Sequence, residues 1–433
     1  MLGTAFTLML PCGCGRVRLP PARTVAGSAG EELTWKQAVQ SALTHHPDIQ
    51  GARADVVSAA HGRNAALAGF LPTVNGDAAL TRSRSTANTT SETWTFDVDA
   101  TQPLFTGFNS TAEFLKAKRL WEASRWSYRA TSAAVRLRLR TAFIGVLRLA
   151  QLLDVNRRIA TRRQDNADLI QLRYDAGREH RGSLLRAQAI AEEAAYDVRQ
   201  TQRRVESQRL VFGRELGGQF WVAPQLAGGM EALIPSVPET PPADYAALAE
   251  QTPAVQQQLR TAESVKADIL GAQADLWPTV EGTASYGYTG EDTSSLRDRG
   301  SVGVEVSVSL FAGGAAVQEL LAARQEYRAA FEAARSARDA RITELSQGWA
   351  ELRDARELVD VRRKFLEAAR ERAEIVRSQY TSGLATFQDF DIVEQELASA
   401  ENAYVESLAT VLTQNATWDV LRGATLEDAL HGS

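Results

Sequence analysis

Hydrophobic and polar residues alternate along two segments in each half of the chain. In the second half the apolar members are Val280, Ala284, Tyr286 and Tyr288, followed by Val302, Val304, Val306, Val308 and Leu310. In the first half they are Trp94, Phe96, Val98 and Ala100. A period of two residues predicts a strand with one apolar face and one polar face. We therefore predict two strands within 73–105 and two within 279–311, with polar loops at 82–92 and 289–300.

A long tract with helical spacing follows each pair of strands. Apolar residues recur there at alternating steps of about three and four, as in Leu139, Phe143, Val146, Ala150 and Leu153. We predict long helices over 109–176 and 313–380, and shorter returning helices over 183–215 and 386–421. At ~1.5 Å per residue, each long helix would span about 100 Å. Helices of that length indicate a coiled-coil-like assembly.

The two halves of the chain repeat one plan at a constant offset of 206 residues. The matching pairs are Pro47 with Pro253, Pro72 with Pro278, Phe105 with Phe311, Tyr174 with Tyr380, and Gly177 with Gly383. An offset that holds over such distances indicates an internal duplication. We expect a first repeat at 30–216, a proline-rich connector at 217–242 with a short strand at 220–222, a second repeat at 243–425, and a tail at 426–433.

Composition and motifs narrow the possible chemistry. The chain is 44% hydrophobic and 23% charged, with a net charge of −5, which gives no reason to expect nucleic-acid binding. No run of 18 or more apolar residues occurs, so we expect no membrane-spanning helix. The five histidines have no metal-ligand spacing, and nucleotide-binding or nucleophile motifs do not occur. We therefore predict a protein that is not an enzyme and needs no cofactor.

The N-terminus leaves three alternatives. Residues 1–29 are expected to form a leader that is removed near Ala29, although the apolar run before it is short and lacks a preceding basic residue. An irregular start is the second alternative. A lipid anchor on Cys12 or Cys14 is the third, and Pro11 argues against it because it interrupts the small residues around these cysteines.

The four predicted strands cannot stand alone in a membrane. Each is long enough to cross a bilayer when tilted, but a four-stranded sheet has open edges whose backbone groups need partners in lipid. The chain would therefore close a barrel with copies of itself, and either a dimer or a trimer would suffice. The lipid-facing residues would be Trp94, Phe96, Tyr286, Tyr288, Val304 and Val306. Asp97, Asp99, Thr283, Glu305 and Ser307 would face water. A soluble sheet covered by the helices is the alternative, and the length of the helices disfavours it.

This layout resembles the TolC family of outer-membrane factors over about residues 30–425. The resemblance rests on Leu33–Ala38 leading to His46-Pro47, on Gly69–Pro72 before a strand, on Gln102–Gly107 between strand and helix, and on a repeated Tyr-x-x-Gly turn. It implies an α+β membrane protein: a homotrimer with a twelve-stranded outer-membrane β-barrel and a periplasmic tunnel of long helices. It also implies a periplasmic adaptor and an inner-membrane ABC or RND transporter as partners. The Gly-Phe-Leu-Pro and Leu-Phe-x-Gly motifs favour the type I secretion branch of the family over the efflux branch.

The resemblance also assigns residues to the closed end of the tunnel. Asp389, six residues after Gly383, matches an acidic position that narrows the entrance, and Asp391 is a second candidate because Ile392 occupies the other acidic position. Helix capping is the alternative role for Asp389. Tyr380 matches a residue that holds the entrance closed, but its arginine partner is replaced by Ala385, so Arg178 and Arg181 become candidates. The turns expected to dock an adaptor contain Gly177, Arg178, Gly383 and Leu384.

Two other functions are compatible with parts of the sequence. The first is a soluble periplasmic or cytoplasmic coiled-coil scaffold or adaptor without a pore. The second is a hydrolase contained in the connector at 217–242, for which the sequence offers no motif.

Overall fold

The structure is a computed structural model that describes residues 32–84, 90–218, 225–226, 229–234, 236 and 240–431. The expected leader at 1–29, both cysteines and the expected strand at 220–222 lie outside these residues. The first repeat contains β1 (Glu32–Leu33), α1 (Trp35–His45), α2 (Pro47–Ala66), β2 (Thr73–Arg84), β3 (Thr90–Thr106), α3 (Asn109–Asp175) and α4 (Arg181–Glu215). The connector contains β4 (Gln225–Leu226). The second repeat contains α5 (Tyr245–Gln251), α6 (Pro253–Ala274), β5 (Thr279–Gly290), β6 (Arg297–Ser307), α7 (Ala315–Ser382) and α8 (Phe387–Leu421), and α9 (Asp428–His431) follows it.

The duplication extends to the ends of the elements. The helices α2 and α6 begin 206 residues apart, at Pro47 and Pro253, and α4 and α8 match at both ends. Both prolines occupy the first helical turn, where their missing N–H leaves no hydrogen bond unmade. The long helices α3 and α7 contain 67 and 68 residues. Their lengths correspond to about 100 Å.

Four strands form one antiparallel sheet in the order β2-β3-β5-β6. The two repeats meet in its middle, where Phe96 pairs with Tyr288 and Val98 with Tyr286. Near the helices, a bulge between Pro103 and Phe105 shifts the register of β3 by one residue. The outer sides of β2 and β6 have no partner strand within the described residues.

The register brings all six residues expected to face lipid onto one side of the sheet: Trp94, Phe96, Tyr286, Tyr288, Val304 and Val306. The other side is polar, and there Arg299 donates to Asp97 at 2.6 Å. The strand β6 is fully exposed along its length, and Val304 is 69% exposed. The apolar face of the sheet is therefore not covered by other parts of the same chain. An exposed apolar surface of this kind marks a site of contact with another molecule or a membrane.

The structure differs from the expected strand bounds in the second repeat. We expected β6 to reach Leu310, but it ends at Ser307, which pairs with Thr279. The residue before Thr279 is Pro278, which has no N–H to continue the ladder. The loop expected at 289–300 is also shorter, because β5 continues to Gly290 and β6 starts at Arg297.

The connector and the C-terminus pack against the helices. The strand β4 of the connector pairs in parallel with β1. The segment that we set apart as a tail also packs against the helices: Leu426 is fully buried, and Glu427 accepts hydrogen bonds from Tyr128 and Ser132, both at 2.6 Å. The helical core beside them is apolar, and its central side chains include Leu139, Leu345, Leu408, Leu412 and Trp418. Among the described helices, none is both long and apolar enough to cross a membrane.

The junction between strand and long helix depends on backbone that favours glycine. Gly107 and Phe108 have φ values of 61° and 76°, and their repeat partners Gly313 and Gly314 have 64° and 82°. A Cβ on Gly107 would lie 2.6 Å from the carbonyl oxygen of Ala274, whereas nothing lies within 4 Å of the same position on Gly313. Both positions therefore require a left-handed backbone conformation that favours glycine, and position 107 also has no space for a Cβ atom.

This difference predicts unequal effects for the same substitution. Gly313→Ala should lower the free energy of unfolding by roughly 1–2 kcal/mol, the cost of left-handed backbone for a residue with a Cβ. Gly107→Ala should cost at least about 1 kcal/mol more, because its methyl group overlaps a backbone carbonyl. Denaturant unfolding of both variants in detergent would measure the difference, and equal losses would contradict the steric role of Gly107.

Candidate functional site

The two helical hairpins end in turns of the same design. Gly177 has a φ of 69° and Gly383 a φ of 79°. In each turn the residue after the glycine donates back into the preceding helix, from Arg178 to the carbonyl of Arg173 and from Leu384 to that of Gln379, both at 2.8 Å. This is the hydrogen bonding of a glycine C-cap. It leaves the outer surface of the turns free, and Leu384 is 82% exposed.

Tyr380 connects the two hairpins. Its ring is 1% exposed and stacks on Phe390, with centroids 4.8 Å apart and planes 2° from parallel. Its hydroxyl donates to Glu179 at 2.9 Å, across to the other hairpin. From that hairpin Arg173 donates to the carbonyl of Tyr380 at 2.9 Å, and its guanidinium lies 4.5 Å from the ring centroid. We call Arg173, Glu179, Tyr380 and Phe390 the tip latch.

The tip latch corrects the arginines that we considered from sequence. We considered Arg178 and Arg181 as partners for Tyr380, but the residues that contact it are Arg173 and Glu179. Glu179 is the neighbour of Arg178, whereas Arg173 lies five residues before Arg178, in α3. Sequence could not say which of these side chains faces the other hairpin. The repeat offset offered a partial signal, because Glu179 corresponds to Ala385, so only one hairpin has an acid at this position.

The electrostatics of the tip latch follow from burial and hydrogen bonding. Burial, followed by the hydrogen bond to Glu179, raises the pKa of Tyr380 to about 12. Burial alone would raise the pKa of Glu179, but hydrogen bonds from Tyr380, Ser183 and the backbone of His180 outweigh it and lower this pKa. The pair is therefore a neutral phenol donating to a carboxylate, which is a strong hydrogen bond.

Asp389 lies at the start of α8 and its side chain is exposed. It forms a capping box with Thr386: its carboxylate accepts from the Thr386 hydroxyl at 2.6 Å and backbone N–H at 3.1 Å, and its own N–H donates to that hydroxyl at 3.2 Å. The hydrogen bond from the hydroxyl, followed by that from the backbone, lowers the pKa of Asp389. The carboxylate is thus ionised and fixed in direction. Asp389 therefore caps the start of α8 and also presents an exposed negative charge.

Asp391 has a different environment from Asp389. It is 9% exposed, and its carboxylate lies 2.8 Å from Arg186 and 3.5 Å from Arg163. Desolvation by burial lowers the pKa of Arg163, with Glu394 and Asp391 acting in the opposite direction. Two arginines thus neutralise Asp391 inside the chain. While these ion pairs hold, its charge is not available to an open passage, which argues against our expectation for this residue.

The tip latch predicts a specific dependence of stability on pH. A folded pKa of about 12 against the ordinary 10.0 means that Tyr380 holds its proton more tightly when folded. Its stabilisation is therefore complete below pH ~10 and is lost as the pH rises towards ~12. Tyr380→Phe keeps the ring but removes the hydroxyl. Below pH ~10 we expect its free energy of unfolding to be about 1 kcal/mol lower than that of the wild type, and above pH ~10 we expect this difference to become smaller.

Denaturant unfolding between pH 9 and 12, in a detergent that tolerates this range, would measure that difference. Tyr174→Phe is the matched control, because Tyr174 is the repeat partner of Tyr380 and is 37% exposed. A loss that is equal in the two variants, or that does not change with pH, would contradict the latch.

No group of three or more histidine, cysteine, aspartate or glutamate side chains that could hold a metal occurs in the described part of the chain. The site thus consists of two hairpin tips, a buried latch between them and an exposed acidic residue beside it. Within one chain, the hydrogen bonds of the tip latch and the contact of Arg173 with the Tyr380 ring join the two hairpins.

Comparison with known proteins identifies the family. The family model described as outer membrane efflux protein matches residues 38–211 and 245–424, one match in each repeat. The chain is 20% identical over 388 residues to the outer membrane efflux protein BepC of Brucella suis, covering 88% of this chain and 84% of BepC.

Solved structures share the fold at low identity. The outer membrane protein VceC of Vibrio cholerae matches with a TM-score of 0.78 and 19% identity, over 90% of this chain and 96% of VceC. The outer membrane channel MtrE of Neisseria gonorrhoeae matches with a TM-score of 0.81 and 17% identity, over 94% of each chain. The duplicated helix-and-strand plan and the match in both repeats lead to one conclusion: the chain belongs to the outer membrane efflux protein family, the TolC-like factors of the outer membrane that extend into the periplasm.

Proposed function

We propose that three copies of this chain form a duct that carries small molecules out of the cell, from an inner-membrane transporter and its periplasmic adaptor through the outer membrane. The four strands cross the membrane as one third of a closed barrel. The long helices continue the duct through the periplasm, and their tips close its inner end.

The sidedness of the sheet carries this proposal. One face presents the aromatic and valine residues, and the other presents Asp97 paired with Arg299. An apolar outside with an aromatic girdle and a polar inside is the arrangement of a membrane barrel around water. A sheet packed under helices in a soluble protein would instead bury the valines, but Val302 is 89% exposed.

The unpaired edges support a ring of copies. In such a ring β6 of one chain would pair with β2 of the next, since each has an unpaired edge. The helices beside them carry exposed apolar side chains that a neighbour would cover, with Leu67 on one flank and Val317, Leu321 and Phe331 on the other. Two different surfaces that meet head to tail close into a ring by rotation.

The names of the relatives favour efflux over secretion. BepC is named an efflux protein, and the matching family is described by the same word. The strand-to-helix motif had favoured type I secretion, but the family match covers both repeats and carries more weight than one motif. We therefore propose small molecules as cargo. An RND transporter is the partner we favour, with an ABC transporter as the alternative.

The tips would supply the gate and the docking surface. We propose that the tip latch holds the second-repeat hairpin, formed by α7 and α8, against the first while the duct is closed. Around a threefold axis, three Asp389 carboxylates would attract cations and repel anions at the entrance. The exposed turns at Gly177, Arg178, Gly383 and Leu384 would receive the adaptor.

Single-channel conductance in a planar bilayer tests the pore and its gate together. We expect discrete cation-preferring openings from the wild-type protein. Asp389→Asn should lower the preference for cations several-fold, because it removes the charge but keeps an oxygen that can accept from Thr386. Asp389→Ala, which also removes the cap, should add to this a higher open probability.

Asp55→Asn is the matched control, since it removes an exposed charge on α2, far from the tips along the chain. A wild-type pore with the same selectivity in all variants would contradict the role of Asp389 but keep the duct. A protein that gives no conductance would contradict the duct itself.

A further inference from the structure

Arginine and tryptophan side chains line a continuous groove on the helices α2, α3 and α6. One part of the groove has a volume of about 340 Å³ and extends to Arg260. The other has about 680 Å³ and extends to Arg53 and the C-terminal segment. The two parts share Arg125, Trp126 and Arg129, so they form one site. We call it the arginine groove.

The guanidinium groups of the arginine groove are held over indole rings. Arg63 and Arg125 lie 4.6 and 5.2 Å from the ring centroid of Trp121. Arg129 lies 4.8 Å from that of Trp126. Stacking restrains the guanidinium plane but leaves the N–H groups at its edge available to an acceptor. The arginines are thus oriented before any ligand binds.

The carboxylates near the groove are engaged by other donors. Glu122 accepts from Arg119 at 2.7 Å, and Asp428 accepts from the backbone of Thr425 at 2.8 Å. Glu427 is partly buried and accepts hydrogen bonds from Tyr128 and Ser132, so its carboxylate is engaged inside the protein. By contrast, neither Arg125 nor Arg129 forms an ion pair with a carboxylate of the described chain, and both are exposed. The groove therefore offers guanidinium donors without a matching internal acceptor.

The position of the groove argues for a ligand in solution, and this step rests on the proposed function, in which the strands cross the membrane and the helices leave it. The helix α3 starts at Asn109, three residues after β3 ends. At ~1.5 Å per residue, Trp121 and Arg129 lie about 18 and 30 Å beyond that start. Lipid headgroups occupy only about 5–8 Å on each side of the hydrocarbon core, so they would not reach the groove.

We propose that the arginine groove binds soluble anions that carry an aromatic ring. Arg125 and Arg129 would bind a phosphate or carboxylate with their N–H edges, since the guanidinium fork matches both groups. The aromatic ring would lie against Trp126 and the stacked arginine planes. This recognition is independent of the gate at the tips, which lies at the other end of α3.

Phenyl phosphate tests the proposal because it combines both chemical features. Isothermal titration into the full-length protein, reconstituted in nanodiscs of zwitterionic lipid, should show tighter binding of phenyl phosphate than of inorganic phosphate. Arg125→Gln combined with Arg129→Gln should weaken phenyl phosphate binding at least about tenfold, which corresponds to 1.4 kcal/mol. The matched control is Arg203→Gln with Arg370→Gln, which removes the same charge from exposed positions elsewhere and should bind like the wild type.

A second pair of variants separates recognition from misfolding. Arg125→Lys with Arg129→Lys keeps the charge but loses the fork, so it should fold normally and still bind several-fold more weakly. Equal binding in the groove and control variants, or no binding by the wild type, would overturn the proposal. Loss of binding when anionic phospholipid is added to the nanodiscs would assign the groove to lipid headgroups and overturn the soluble ligand.

Discussion

The unpaired backbone at the two edges of the sheet constrains everything else about this protein. The strands β2 and β6 present N–H and C=O groups on their outer sides with no partner among the described residues. In lipid each such group would cost several kcal/mol, so the sum over a strand would exceed the total stability of a small domain. Copies of the chain can satisfy these groups, and the apolar flanks of the helices lie where neighbouring copies would meet. In the proposed assembly, the barrel, the ring and the duct all meet this one requirement.

The duplication explains both the regularity of the molecule and the place where it acts. The left-handed residues recur at an offset of 206 residues, as do the starts of α2 and α6, the starts of β2 and β5, and both ends of α4 and α8, so one plan built both halves. The symmetry fails at the tips. Tyr380 is buried while Tyr174 is exposed, and Glu179 has an alanine as its repeat partner. The two hairpins therefore make different contacts at their tips, and the proposed gate depends on this difference.

Sequence was sufficient where the signal is local. Strands, long helices and turns were predicted within a few residues, because alternation, helical spacing and the Tyr-x-x-Gly turns act over short distances. The end of β6 was missed because it depends on Pro278 in the partner strand. The partners of Tyr380 were missed because they are 201 and 207 residues away in the chain, and only the packing of the hairpins decides which side chains meet. The burial of Asp391 between two arginines was hidden for the same reason.

Native mass spectrometry of the detergent-purified protein tests the central claim most directly, because it counts the chains that close the sheet. Three chains per particle are predicted, together with dissociation when a proline is placed in the middle of β6, for example Val304→Pro, where it would remove a backbone donor from the edge strand. A proline in the exposed loop, Thr293→Pro, should leave the trimer intact, because Thr293 follows Asp292 in a turn that accepts proline. A wild-type particle of one chain, stable without detergent, would contradict the claim that copies of this chain form the duct.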